Sequence, residues 1–152
     1  LVALSRRDRV AEDVVKYFCH NGVNINGLVF RIQITSERAK WEKVVGKKEL
    51  EAHIKSHDGV FPSAYVEVYS QRILIHPTRR GLSRLSSLIH EVLHVLDFRF
   101  GEDTVDKISM FLACFLVDSV LAGYAVDCLE SLFLADMLLP LNWKEPNAEI
   151  SR

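Results

Sequence analysis

The chain predicts an α+β fold, with short strands in its first half and helices after them. Two observations place the strands. "GLVFRIQIT", residues 27–35, alternates Phe30, Ile32 and Ile34 against Val29, Arg31 and Gln33, the period of a half-buried strand. "YVEVY" and "RILIHP" are short alternating runs joined by Ser70-Gln71, with Pro77 ending the second; they read as neighbouring strands. The third observation is helical spacing of apolar residues from Leu82 to about Leu139. A small twisted sheet of about three strands with a helical C-terminal half follows.

Taken in order, "SRRDRVAEDVVKYFCHNG" puts Val10, Val14, Tyr17 and Phe18 on one helical face, and Gly22 is a plausible stop. The strand at 27–35 comes next. Residues 36–56 are charged and mixed, a helix or a long excursion that periodicity does not decide. "HDGVFPSA" carries turn chemistry in Asp58-Gly59 and Pro62. After the strand pair, one helix runs from Leu82 through Arg99, the chain turns at Gly101, and one or two apolar helices follow. No repeat or composition break divides the chain, so residues 1–152 read as a single domain.

Composition narrows the function classes. With 152 residues, 49% of them hydrophobic and 26% charged, the chain can bury one core. A net charge of −1 gives no electrostatic case for nucleic acid or an anionic membrane. Arg6, Arg7 and Arg9, like Arg79 and Arg80, have acids close by and read as solvated faces. Cys19, Cys114 and Cys128 make an odd set without CxxC spacing, which points to a reducing, cytoplasmic compartment. The start "LVALSRRDR" lacks both a methionine and a signal-peptide layout, and reads as a trimmed or processed piece. In "ISMFLACFLVDSVLAGYAV" the longest uncharged run ends at Val117, about half the ~20 residues of a span. A buried helical layer is expected there.

"LIHEVLHVLD", residues 88–97, carries the chemistry. HExxH arises by chance in about one chain in sixty of this composition, so its setting matters. On a helix His90, His94 and Asp97 fall within roughly 60° of one another. Leu85, Leu88, Ile89, Val92 and Leu96 form the opposite, apolar face. Zinc takes imidazole nitrogens at ~2.0–2.1 Å, and residues one turn apart can both reach one ion. Glu91, rotated ~100° from His90, borders the open position of such a metal and can act as general base on its water.

"ILIHPTRRGLSRLSSLIHEVLHVLDFRFG-EDTVDKI" resembles the small zincin-like metallopeptidases of phages and bacteria, in which a strand and short loop lead into an HE-x-L-H helix. An acidic-start helix of the type E-x-x-V-[DE] then follows. The likeness covers residues 72–117. It implies a zincin-like fold and zinc-dependent peptide hydrolysis, with His90 and His94 as ligands and Glu91 as base.

A third ligand is needed. Glu102 opens the next helix and matches the acidic start of the resembling proteins; if that helix folds back, Glu102 or Asp106 returns toward His94. Glu130, in "ESLFLADMLLP", resembles the position of the third ligand in ImmA/IrrE-type metallopeptidases, offset by one residue. Glu102 is preferred, and Asp97 reads as an outer partner orienting a histidine. His53 and His57, four apart among lysines, read as surface. His76 is a capping or surface residue or an oxyanion donor, and Tyr65 and Tyr69, alternating on one strand face, are core or cleft wall.

The expectation is a zinc metallopeptidase acting on a peptide or protein, with the substrate adding as a strand along "QRILIHP". The alternative is an interaction module that binds a partner through apolar helices 104–139, its metal only stabilising the fold.

Overall fold

The computed structural model describes residues 3–96 and 99–122. Among them are five helices and a four-stranded mixed sheet, so the α+β class holds. Helix α1 (Arg6–Asn21) starts at Ser5, whose hydroxyl accepts the Asp8 N–H, and ends at Gly22. The strands β1 (Val23–Ile25) and β2 (Leu28–Ile34) form an antiparallel hairpin. Asn26 and Gly27 between them have φ of 52° and 83°. Two successive left-handed residues make the tight hairpin turn that Asn-Gly favours. The expected count of about three strands is therefore one short, and β1 is the strand missed.

Residues 36–56 resolve into α2 (Arg38–Val45) and α3 (Lys47–Ser56), divided at Gly46. Next come β3 (Ala64–Glu67) and β4 (Arg72–Ile75), antiparallel as expected. Strand β4 also pairs in parallel with β2, so the order across the sheet is β1-β2-β4-β3. "QRILIHP" is thus an inner strand with both ladders used, and no substrate can add to it. The edge strands are β1 and β3. Helices α4 (Gly81–Leu96) and α5 (Glu102–Leu121) complete the described chain.

The sheet is covered on both faces. Ile73 and Ile75 of β4, with Phe30 and Ile32 of β2, join Val14, Val15 and Phe18 of α1 and Leu85, Leu88 and Val92 of α4. Leu74 points the other way, into a smaller core with Trp41, Val44, Val45 and Leu50. Burial of both sides accounts for the three consecutive apolar residues Ile73, Leu74 and Ile75 of β4, where alternation was expected. Trp41 is fully buried, and its indole N–H donates to the Thr35 carbonyl at 2.7 Å. No helix among the described residues is long and apolar enough to cross a membrane.

Candidate metal centre

Helix α4 carries the histidines, and α1 fixes where it starts. The Gly81 N–H donates to the Glu12 carboxylate at 2.6 Å, and the Leu82 N–H to Asp8 at 2.9 Å. Two of the helix's unpaired N–H groups are thereby satisfied from another element. Arg84 closes the arrangement with a largely buried ion pair to Glu12. The Leu82 hydrogen bond, helped by Ser5, holds the Asp8 carboxyl below the usual range. Gly81 sits at φ +58° against Asp8, where any Cβ would strike that carboxylate.

With Leu85, Leu88, Ile89 and Val92 buried, the opposite face presents His90 and His94. Their Nε2 atoms are 2.8 Å apart. Glu102, in the first turn of α5, places one carboxylate oxygen 3.1 Å from His90 Nε2 and the other 3.0 Å from His94 Nε2. These three residues are the one group of metal-ligand type found among the described residues. Atoms bound tetrahedrally at ~2.0–2.1 Å from an ion lie roughly 3.3 Å apart, so the triangle needs only slight opening to hold one.

Asp106, one turn along α5, accepts a hydrogen bond from His90 Nδ1 at 2.8 Å. That proton on Nδ1 leaves the Nε2 lone pair facing the Glu102 carboxylate. Two acceptors so close require a cation or a proton between them. Of the three candidates for a third ligand, two are described: Glu102, the preferred one, groups with His90 and His94, whereas Asp106 meets the far nitrogen of His90. Asp97 and Glu130 lie outside the described residues.

Glu91 is only 8% exposed. Burial, and then the nearby Glu102 charge, push its carboxyl up to about 7, while a hydrogen bond from the Val66 backbone acts in the opposite direction. It therefore lies between α4 and the edge strand β3. A carboxyl poised near neutrality suits proton transfer in both directions.

A cleft of about 1250 Å³ opens over these residues. Its floor is α4 from Ser83 to His94, and one wall is α5 at Glu102, Asp106 and Met110. The other wall is residues 60–66, with Glu49 and His53 of α3 and His57 at its C-terminal cap. Tyr65 lies on this wall, its hydroxyl pushed up by burial and by the carboxylates Glu49, Glu67 and Glu91. Tyr69 instead is 97% exposed, so the expected shared face of the two tyrosines does not form. His76 is packed on Phe61 and Trp41, with Nδ1 2.9 Å from the Thr78 hydroxyl. Its ring thus lies against the smaller core beside the loop that leads to α4. His53 and His57 stack with ring centroids 4.0 Å apart. Periodicity alone could not show that these rings and Arg79 share a cleft with the HExxH helix.

Comparison with family models, with curated proteins and with solved structures returns no match.

Proposed function

We propose that this chain is a zinc-dependent metallopeptidase of zincin-like architecture. The observation that carries this reading is the donor triangle of His90, His94 and Glu102 beside a buried carboxyl, Glu91, at the bottom of an open cleft. A zinc ion held by those donors would supply Lewis acidity toward water and toward a peptide carbonyl. Glu91 takes the proton from the attacking water and delivers it to the leaving amine. Asp106 keeps the His90 ring in the tautomer that binds.

Strand β3 gives the substrate a place. Its pairing with β4 uses Tyr65 and Glu67, and the Ser63 carbonyl accepts the His76 N–H. Alternation then turns the backbone groups of Ala64 and Val66 outward. The Val66 N–H is engaged by Glu91, which leaves the Ala64 groups and the Val66 carbonyl for an added peptide strand. Glu91→Gln tests the reading, because the amide keeps the shape and loses the basicity. We expect full zinc content with hydrolysis of a peptide library reduced at least ~100-fold. Undiminished turnover would remove Glu91 from the reaction, and a wild type that cuts no peptide would remove the peptidase.

One observation favours the alternative of an interaction module: Met110, Phe111 and Phe115 of α5 are 42%, 67% and 44% exposed. Of the apolar stretch 104–139, residues 123–139 lie outside the described part. An exchangeable water on bound zinc supports the enzyme, and a fourth protein ligand supports the module.

A further inference from the structure

The cleft is electrically lopsided. Its metal end holds Glu91, Glu102 and Asp106, whereas Arg79, His53 and His57 line it elsewhere, with Glu49 one turn before His53. Arg79 has no ion-pair partner among the described residues, and it is the one arginine that lines the cleft. The His57 ring is fixed by contacts of its Nδ1 with the His53 carbonyl, 2.9 Å, and the Ser56 hydroxyl, 2.8 Å. Its Nε2 has no hydrogen-bond partner among the described residues. Burial and the adjacent His57 make His53 harder to protonate, a cost that an anion beside the pair would offset.

These groups adjoin one end of β3. Ser63 precedes the strand and binds His76, whose ring packs on Phe61 and whose Nδ1 meets Thr78, the neighbour of Arg79. Phe61 also packs in one cluster with Ile54, which lies between His53 and His57 on α3. A peptide added antiparallel to β3 runs from the Glu67 end toward the Ser63 end, so its C-terminal part approaches these residues.

We propose that Arg79, with the stacked His53 and His57, forms a carboxylate-binding subsite for the C-terminal part of the substrate peptide. The inference rests on the peptidase reading and deepens it. Arg79 supplies a permanent charge with forked donors suited to a carboxylate, and the acids at the metal end disfavour the reverse placement. The carboxylate is either an acidic side chain or the peptide's own terminus.

The test uses the full chain carrying Glu91→Gln, loaded with zinc, so that peptides bind without being cut. Three fluorescein-labelled octapeptide pools are compared by anisotropy: glutamate in the last three positions with an amidated end, glutamine there with a free carboxylate, and glutamine with an amidated end. We expect one of the first two to bind about 3- to 10-fold tighter than the third. Preference for the first identifies a side chain, and preference for the second identifies the terminus. Arg79→Gln should abolish the preference and His53→Gln/His57→Gln should reduce it, with binding of the third pool unchanged. Equal or undetectable binding of all pools, or a preference that survives Arg79→Gln, overturns the subsite. Wild-type hydrolysis is read separately. If it is absent while the preference stands, the peptidase reading falls and the anion site remains.

Discussion

On one imidazole, His90, two acids act at different depths. Glu102 approaches its Nε2 and Asp106 its Nδ1, so their removal should have unequal effects. Asp106→Asn should weaken zinc binding ~10–100-fold, the usual effect of losing an orienting partner. Glu102→Ala should weaken it further, and His90→Ala or His94→Ala should abolish stoichiometric binding. Zinc titration of the four variants checks the order, and a weaker Asp106→Asn than Glu102→Ala would exchange the two roles. Glu91 carries a second prediction, for the metal-free protein. Its folded-state carboxyl lies near 7, above the ordinary 4.5. Its protonated form is therefore favoured by folding, so this stability is complete below about 4.5 and lost as pH rises through about 7. Between those limits the loss is about 3 kcal/mol. Denaturation in chelator at pH 5 and pH 8 should show it, and Glu91→Gln should flatten that part of the profile. The His90-Glu91-His94 set was legible because local helical spacing determines it. The return of Glu102 toward that set was preferred over Asp106 and Glu130 but not fixed by spacing, because it depends on how α5 crosses α4, a tertiary fact.

Helix α4 shows the same limit at the level of an element. Its apolar face was plain from Leu85, Leu88, Ile89 and Val92, but its N-terminus has no local cap to read. The cap comes from Asp8 and Glu12, about seventy residues earlier in the chain. Strand β1 was missed for a different reason: it is three residues long, too short for alternation to register. The signal that could have found it was the Asn26-Gly27 pair before "LVFRI". Likewise "RILI" showed a strand but not its position, since edge or centre is decided by which strands pair with it. For α4 the consequence is measurable. Glu12→Ala should cost about 2–4 kcal/mol, because it strands the buried Arg84 and unpairs the Gly81 N–H. By contrast, Asp103→Ala at the exposed Asp103–Lys107 pair should change little. Equal unfolding midpoints for the two variants would mean that α1 does not hold the helix start.

For the molecule as a whole, the candidate metal centre joins parts that the core holds unevenly. The histidines stand on α4, whose other face lies in the main core with α1 and the sheet. Glu102 stands at the start of α5, where Gly101 offers no side-chain cap and only Val105 among the first turns is buried. The C-terminal half of α5 is better anchored, by Ala113, Leu116 and Val117. An ion bound by His90, His94 and Glu102 would therefore act as a cross-link to the weakly held end of α5. Free zinc at about 100 times its dissociation constant should stabilise the fold by about 2.7 kcal/mol, or roughly 8 °C in Tm for a chain of this size. Chelation should reverse that shift. Amide exchange should reveal where the effect lies: removal of zinc should speed exchange in residues 102–107 most, and in α1 and β2 least. Glu102→Ala should show the fast pattern with or without zinc. A uniform change across all elements would mean that the ion stabilises the domain without clamping α5, and the placement of Glu102 as its third ligand would have to be given up.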